Sequence, residues 1–251
     1  MMIVLSPAKT LDFETKIPTK KFSLNENGKQ SMELIEGLRK LSSKKIAALM
    51  DLSEKLSDLN VERYKNFSEN HDIKNSRPAI FTFDGEVANG LDAFHFSAKE
   101  LEVAQNKIRF LSGLYGMLKP LDLIQPYRLE MGTSLGPGKY KNLYSFWGHK
   151  ITEQLNKELK GEALINLASN EYFKVINTKK ISSEIITCTF KEKKGKEFKP
   201  VMVFAKRARG MMANYIIKNN IKKTEDLKNF DVEKYGFNEK LSSENEWIFT
   251  R

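Results

Sequence analysis

The sequence predicts a mixed α/β (α+β) fold in a single domain, residues 1–251. Apolar runs of strand length occur at Met2–Leu5 and Ala163–Ala168, and polar residues follow each of them, as expected of buried strands. Between them, Ser31–Leu41 and Ser97–Phe110 space their apolar residues along one helical stripe. With 251 residues, 40% of them hydrophobic, the chain can bury the core of one domain or at most two. We expect one.

Composition and motifs exclude several classes of protein. No run approaches the roughly 18 apolar residues of a membrane span, and Met1–Thr10 lacks the features of a signal peptide. We therefore expect a cytoplasmic protein with no membrane partner. The single cysteine, Cys188, cannot form an internal disulfide, and its strand-like surroundings favour a buried hydrophobic role over a nucleophilic one. Three scattered histidines and no cysteine pair argue against a metal site, and the dinucleotide and GxSxG motifs are missing. We expect no cofactor.

The positive charge is concentrated in one part of the chain. The net charge is +10, yet Lys174–Lys223 alone carries fourteen basic residues against three acidic ones. The remainder is therefore close to neutral. Such a distribution suits a polyanion, because Lys and Arg contacts to phosphate dominate nucleic-acid affinity. A lysine-rich surface that is merely solvated is the alternative.

The first strand ends in the loop SPAKT, residues 6–10. In α/β sheets, ligands bind beyond the carboxyl ends of the strands, so Ser6, Lys9 and Thr10 are candidate site residues. The loop lacks the GxxxxGK[ST] frame that cradles the phosphates of nucleoside triphosphates.

Short helices joined by tight polar turns are predicted within 43–67. They could form a helix-turn-helix or helix-hairpin-helix element, with Lys44, Lys45, Lys55 and Arg63 facing phosphates. Ordinary helical packing is the alternative, and the absence of glycine from the turn favours it.

Pro78–Leu91 is predicted to begin as a strand and to turn at Asp84. Asp84 and Glu86 then lie at a strand end. They could act as a general acid/base pair or as metal ligands, or they could serve only as turn and cap residues. Ser97–Phe110 follows as a helix, with a capping-box pattern between its first residue and Glu100.

Arg109–Gly132 contains two glycines and two prolines that prevent a long helix from crossing it. Its few polar side chains lie among Leu and Met, so any that fold inward need partners. We predict that this segment forms a wall of the site, with a purely structural crossover loop as the alternative. The polar residues that it offers to a cleft are Tyr115, Lys119, Gln125, Arg128 and Glu130.

The run Ala163–Ala168 repeats the pattern of the first strand, because a polar cluster follows it. Side by side, the strand ends at SPAKT, FDGE and SNEY would make one concave polar site. The polar residues of the last cluster are Ser169, Asn170, Glu171 and Tyr172.

The C-terminal third is predicted to hold a hairpin, a basic helix and a last strand, EWIFT. Glu184–Lys191 and Lys199–Ala205 alternate as the two strands of the hairpin. Lys206, Arg207 and Arg209 are predicted to open the helix, where the N-terminus and three cations would together attract an anion. A solvated basic turn is the alternative.

Six motifs run in order through nearly the whole chain. They are SPAKT (6–10), FDGEVANGL (83–91), RFLSGLYGMLKPLDLIQPYRLEMG (109–132), FWG (146–148), INLASNEYF (165–173) and FAKRARGMM (204–212). Together they resemble the YaaA family of bacterial peroxide stress-resistance proteins, and six motifs in register are far more specific than any one of them.

The resemblance implies a cytosolic protein that protects cells during hydrogen peroxide stress and is linked to lower available intracellular iron. It also implies a mixed α/β fold peculiar to the family, with a positively charged cleft, a helix-hairpin-helix element and DNA binding. That element would lie either in 113–119 or in 43–67, and no catalytic residue follows from the resemblance. The cations that would bind a nucleic acid or a smaller anion are Lys9, Lys119, Arg128, Lys206, Arg207 and Arg209.

Two functions fit these observations. We favour a non-enzymatic protein that binds double-stranded or distorted DNA during oxidative stress. The alternative is an enzyme acting on a small anionic or nucleotide-like substrate in a polar cleft. A groove open to a duplex, whose major groove alone is about 12 Å wide, would favour the first, and a closed pocket of a few hundred Å³ the second. Direct sequestration of iron is disfavoured, because His and Cys are scarce.

Overall fold

A mixed sheet of eight strands lies at the centre of the structure, a computed structural model that describes residues 1–251. Two further pairs of short strands lie outside it. The strands are β1 (Met2–Leu5), β2 (Thr10–Leu11), β3 (Arg77–Pro78), β4 (Phe83–Asp84), β5 (Ile108–Ser112), β6 (Gly116–Leu118), β7 (Leu123–Ile124), β8 (Leu164–Leu167), β9 (Ile185–Lys194), β10 (Glu197–Lys199), β11 (Gly236–Phe237) and β12 (Glu246–Thr250). The α-helices are α1 (Gly28–Arg39), α2 (Ser43–Met50), α3 (Glu54–Asn66), α4 (Ala79–Thr82), α5 (Glu86–Leu91), α6 (Ala98–Lys107), α7 (Leu143–Leu159), α8 (Asn170–Phe173) and α9 (Met202–Lys218).

Five parallel strands form the middle of the large sheet, in the order β5–β1–β8–β9–β12. At its edges, β6 pairs antiparallel with β5, and β11 pairs antiparallel with β12, while β10 pairs with β9. The predicted mixed α/β fold is confirmed. Counted along the chain, the parallel strands have the order 2-1-3-4-5, so the winding reverses between β1 and β8. Sheets of this order bind ligands at the point of reversal, outside the carboxyl ends of the strands.

The two strands beside the reversal are covered on both faces. Every residue of β1 and of β8 is buried, which explains why their sequences run almost without polar residues. Sheet and helices share one apolar core of 61 buried residues that extends from Met1 to Phe249. None of the helices combines the length and the hydrophobicity that a membrane span requires.

α2 and α3 form a pair of helices joined by Asp51–Ser53. Both N-termini are capped by serine hydroxyls, those of Ser42 and Ser53. The hydroxyls of Ser43 and Ser57 lie 2.8 Å apart and connect the two helices. Asp51 has a left-handed backbone (φ 51°), so an aspartate occupies the position in this turn that glycine most often takes.

The capping box predicted at Ser97 is confirmed, but the helix that it begins is shorter than predicted. α6 ends at Lys107, and Ile108–Phe110 belongs to β5, which pairs with β1 in the sheet. A β-branched and aromatic segment beside a central strand gains more from pairing than from one further helical turn.

The strand predicted from Pro78 is interrupted after its first residue and resumes only at Phe83–Asp84, as β4. Ala79–Thr82 is a single turn of helix, whose N–H groups at Ala79 and Ile80 donate to the carbonyls of Asp122 and Pro120, both at 2.9 Å. The turn that contains Pro120 and Asp122 therefore accepts the hydrogen bonds that a neighbouring strand would otherwise have accepted.

Gly113–Lys119 is not the helix-hairpin-helix element, because it forms a β-hairpin between β5 and β6. Gly116 is required in it: its backbone is left-handed (φ 71°), and a Cβ there would lie 2.7 Å from the ring of Trp147. The pair α2–α3 is the remaining candidate.

The second strand of the hairpin, predicted at Lys199–Ala205, is misplaced: β10 is Glu197–Lys199, and α9 begins at Met202. Pro200 has no N–H to donate to a ladder, so it ends the strand. As a result Lys206 is the fifth residue of α9, and the prediction that the three cations open the helix is wrong. The field of a helix N-terminus is largely confined to the first turn and contributes little to their anion affinity.

Candidate functional site

The carboxyl ends of β1 and β8 meet at the reversal of the sheet. The Ser6 hydroxyl accepts a hydrogen bond from the Ser169 N–H at 2.9 Å and donates one to the Ser169 hydroxyl at 3.3 Å. These bonds tie the SPAKT loop to the start of α8. The parallel pairing of Leu5 with Leu167 sets this alignment, so both loops begin at the same level of the sheet.

A pocket of about 260 Å³ opens at this edge, and we call it the sheet-edge pocket. It contains residues from all three of the predicted strand ends and from α9. The predicted residues that line it are Ser6, Lys9, Thr10, Asp84, Glu86, Ser169, Glu171, Tyr172, Lys206 and Arg209.

α9 reaches the pocket because it crosses α5 at backbone contact. A Cβ on Gly90 would lie 2.1 Å from the Arg207 carbonyl oxygen, and a Cβ on Gly210 would lie 2.0 Å from the Val87 carbonyl oxygen. Real Cβ atoms do not approach so closely, so both positions require glycine. The crossing places the second and third turns of α9 against α5, which begins two residues after Asp84.

Lys206 and Arg209 are cations without protein partners. They are three residues apart on α9 and therefore share one face of the helix. Neither forms an ion pair or a side-chain hydrogen bond in the structure, in which Lys206 is exposed and Arg209 is half-buried. Burial lowers the pKa of Arg209, and no carboxylate offsets the effect. An arginine held this way has its donors free for an anion.

Lys9 is engaged differently, through a chain of charges at the rim of the pocket. Its ammonium lies 2.6 Å from Glu130 Oε2, while Glu130 Oε1 accepts hydrogen bonds from Arg128 Nε and Nη2 at 3.1 and 3.0 Å. Glu130 thus neutralises much of the charge of Lys9 and Arg128. A bound anion would therefore have to compete with Glu130 for either cation.

Carboxylates occupy other positions in the pocket. Asp84 has no side-chain partner, and Glu86 accepts only one long bond, from Asn89 Nδ2 at 3.4 Å. Glu171 accepts from the Gly132 N–H at 3.1 Å. The pocket therefore carries both signs of charge, so a ligand with an anionic end and a hydrogen-bond-donating end would match it.

A wider depression of about 920 Å³ adjoins the sheet-edge pocket at Asp84. Its walls come from the segment that follows SPAKT and from α3, which contributes Leu59, Glu62 and Arg63. Burial, together with the neighbouring charge of Arg128, lowers the pKa of Arg63. We call the depression and the pocket together the groove.

Several predicted residues lie elsewhere. Lys119 is outside the groove and pairs with Glu26 and Glu158, at 3.3 and 3.6 Å. Lys119 follows β6, which runs antiparallel to β5, so it lies at the amino ends of the parallel strands, opposite the pocket. Arg207 points away from the pocket to Glu233, 3.3 Å distant, because one residue turns a helix by about 100°.

Tyr115, Gln125 and Asn170 do not line the pocket either. Tyr115 is buried, and its hydroxyl accepts from the Gln125 N–H at 2.9 Å. The Gln125 side chain exchanges two hydrogen bonds with the backbone of Ser68 and borders the wider depression. Asn170 is the exposed first residue of α8. Buried amides and phenols need partners, and the side chains of Tyr115 and Gln125 both find theirs within the fold.

The segment Leu11–Thr15 was not expected in the site, because its polar sequence is typical of a surface connection. It lines the wider depression through Asp12 and Glu14. Only the pairing of β2 with β4, which brings Thr10 beside Asp84, places it there. No signal in the sequence identifies a pair of strands two residues long.

The basic segment Lys174–Lys223 is largely unneutralised. Only Lys199 and Arg207 of its fourteen cations form ion pairs. The hairpin of β9 and β10 carries several of the free lysines and leads directly into α9. No group of three or more His, Cys, Asp or Glu residues is arranged to hold a metal ion.

The fold and the groove define a class of α/β protein with a charged groove at the carboxyl ends of its parallel strands. Comparison with known proteins identifies the family: the family model described as "Peroxide stress protein YaaA" matches residues 1–241. The chain belongs to the YaaA family of peroxide stress proteins.

Relatives of full length support this assignment. A UPF0246 protein of Flavobacterium psychrophilum is 52% identical over 252 residues, covering 100% of both chains. UPF0246 proteins of Colwellia psychrerythraea and Aliivibrio fischeri are 50% and 49% identical, covering 100% of this chain and 99% and 98% of their own.

Proposed function

We propose that this peroxide stress protein acts in the cytoplasm by binding DNA, double-stranded or distorted, across the groove. The observation that carries the proposal is the set of cations without protein partners on α9 and on the hairpin before it. Unpaired lysine and arginine release counterions when they contact phosphates, and this release provides much of the affinity for DNA.

The pair α2–α3 supports the proposal from the other side of the groove. α3 forms a wall of the wider depression, and the exposed Lys44, Lys45 and Lys55 form no ion pairs. Two helices joined by a three-residue turn are the size of a helix-hairpin-helix element, and we propose that they contact the backbone of one strand. Replacing the three lysines with alanine should then weaken DNA binding without changing the thermal unfolding temperature.

The carboxylates of the groove set the expected strength of binding. Asp12, Glu14 and Glu62 line the wider depression and repel phosphates, so we expect moderate affinity that falls steeply with salt. A tight, salt-resistant complex is not expected from this balance of charges.

The test is fluorescence anisotropy of labelled duplexes over a series of salt concentrations. The double variant Lys206→Ala/Arg209→Ala should bind more weakly and should reduce the slope of log K against log salt by about 2, since each neutralised phosphate contributes about 0.9. The charge-matched control is Lys99→Ala/Lys240→Ala, because both lysines are exposed and lie outside the groove. Equal slopes for the two double variants would refute the contacts, and an absence of DNA binding by the wild type would refute the function.

A second candidate function is an enzyme that acts on a small anionic or nucleotide-like substrate. The observation in its favour is the size of the sheet-edge pocket, about 260 Å³, which is close to that of small-molecule sites. Incubation with nucleoside mono- and diphosphates, followed by chromatography, tests it. A product whose formation depends on Asp84 and Arg209 would support the enzyme over the DNA-binding protein.

The proposal includes a lower level of available iron in the cell during peroxide stress. Reactive iron promotes damage where it meets DNA, so both effects would protect the same target. Cells that lack the protein should contain more chelatable iron after exposure to peroxide, as measured by electron paramagnetic resonance. If the variant Lys206→Ala/Arg209→Ala restores the iron level, the effect on iron is separate from DNA binding.

A further inference from the structure

We propose that the sheet-edge pocket receives one nucleotide that is extruded from the DNA lying in the wider depression. The nucleotide's phosphate would contact Lys206 and Arg209, and its base would donate hydrogen bonds to Asp84 and Glu86. This inference rests on the proposed DNA binding and adds the ligand of the pocket.

The position of the pocket supports extrusion. It adjoins the wider depression at Asp84, so a strand that follows the depression passes the mouth of the pocket. A pocket of about 260 Å³ cannot admit a duplex, yet it belongs with the sites that enclose a single small ligand. Enzymes and binding proteins that read one base from a duplex turn that base out into such a pocket.

The charges of the pocket identify the chemistry of the ligand. Lys206 and Arg209 offer free donors on one face of α9, which suits a phosphate. Asp84 and Glu86 offer carboxylate oxygens that are almost free of protein partners. A simple phosphate or sulfate would be repelled by these carboxylates, whereas a nucleotide presents an anion at one end and N–H groups at the other.

The carboxylates also predict which bases are preferred. Aspartate and glutamate accept hydrogen bonds from the exocyclic amino group of cytosine, and adenine and guanine carry amino groups as well. Thymine has none. We therefore expect cytosine, adenine or guanine to be favoured over thymine at the extruded position.

Extrusion costs least where the base is already unpaired. A duplex with a single-nucleotide bulge should therefore bind more tightly than the same duplex without it. A cytosine bulge should be preferred over a fully paired duplex and over an abasic bulge by about tenfold, which lies within the discrimination given by one good base contact.

The decisive variant is Asp84→Asn/Glu86→Gln, compared with Glu14→Gln/Glu62→Gln. Each removes two negative charges from the groove, but only the first alters the pocket. Both should raise affinity for paired duplex, because repulsion of phosphates decreases. Only Asp84→Asn/Glu86→Gln should reduce the preference for cytosine over thymine or an abasic site in the bulge.

Fluorescence anisotropy with paired, cytosine-bulged, thymine-bulged and abasic-bulged duplexes provides the readout, with deoxycytidine monophosphate as a competitor. Equal binding of paired and cytosine-bulged duplexes, or a cytosine preference that Asp84→Asn/Glu86→Gln leaves undiminished, would overturn the inference and leave the proposed DNA binding intact. Binding of the free nucleotide without any bulge preference would assign the pocket to a free ligand and would also overturn it. Failure to bind any duplex would overturn the proposed function itself.

Discussion

Arg209 and Arg109 show how the same side chain can have opposite roles in one protein. Arg109 is buried, pairs with Glu158 and donates to the carbonyls of Gln105 and Ile108. Arg209 is half-buried and has no partner. Desolvation of an unpaired charge opposes folding, so the partial burial of Arg209 costs stability that no protein partner restores.

The contrast predicts opposite effects on stability. Arg209→Met should leave the thermal unfolding temperature unchanged or raise it by a few degrees, because about 1 kcal/mol corresponds to 2–4 °C for a chain of this size. Arg109→Met should destabilise by about 3 kcal/mol, because it leaves the largely buried Glu158 with only its longer contact to Lys119. Calorimetry measures both, and DNA affinity should fall for Arg209→Met. A large loss of stability in Arg209→Met would show that the arginine is structural.

Cys188 is predicted to be inert to peroxide although the protein belongs to a peroxide stress family. It is buried, and burial raises the pKa of its thiol to about 12. The thiolate is the form that reacts with peroxide, and it is almost absent at neutral pH. Mass spectrometry after peroxide treatment of the folded protein should show no added oxygen on Cys188, and Cys188→Ala should retain DNA binding. Rapid oxidation of the native protein would instead indicate a thiol sensor.

At the scale of the elements, the crossing of α5 and α9 controls the geometry of the pocket. Gly210→Ala places a methyl group 2.0 Å from the Val87 carbonyl oxygen and should cost about 1–3 kcal/mol, as overpacking does. It should also weaken ligand binding, because α9 carries Lys206 and Arg209.

The matched control is Gly37→Ala in α1, where nothing lies within 4 Å of the new Cβ. Alanine in a helix interior is favoured over glycine by about 0.5–1 kcal/mol, so this variant should be slightly stabilised. Urea unfolding distinguishes the two. Equal effects would mean that α5 and α9 adapt to a side chain at their contact.

The sequence predicted those elements whose own residues determine them. β1 and β8 are almost continuously apolar because both faces are covered, and the capping box at Ser97 is local chemistry. Ile108 was predicted in a helix but pairs with β1 in the sheet. Ala79 was predicted in a strand, but its N–H donates to the carbonyl of Asp122, which is distant in sequence. Pro200 ends β10, because it has no N–H to donate to a ladder, and the residues that follow it form α9 rather than a strand.

The candidate site was predictable at strand ends but not in its details. Ser6 and Ser169 follow buried strands, so their convergence followed from the rule for parallel sheets. Lys119 follows an antiparallel edge strand, and nothing local reveals its direction. Arg207 differs from Lys206 only in its angle around α9, which depends on where the helix packs.

At the scale of the whole molecule, buried phenols and the buried thiol make the free energy of unfolding decrease as the pH becomes alkaline. Burial raises the pKa of the five buried tyrosines above the ordinary value of 10.0, and that of Cys188 above 9.0. Above these ordinary values the unfolded chain loses protons that the folded chain keeps. The folded state then binds more protons, so stability falls as pH rises. The tyrosines are Tyr64, Tyr115, Tyr127, Tyr172 and Tyr235.

Each such group should remove up to about 1.4 kcal/mol of unfolding free energy per pH unit above its ordinary pKa. Urea unfolding at pH 8, 9.5 and 10.5 measures the trend, and tyrosinate absorbance shows when the buried phenols ionise. We expect their ionisation to accompany unfolding. A flat stability profile together with full ionisation of the folded protein would contradict the burial of these side chains.

The two edges of the large sheet end in very short strands, three residues in β6 and two in β11. A free edge can recruit a strand from another chain, and short edge strands provide little backbone for that recruitment. Oxidative damage produces partly unfolded proteins, whose exposed strands can pair with such an edge. The short edge strands leave such proteins little backbone to pair with, and the ten-residue β9 is paired with β8, β10 and β12 of its own chain.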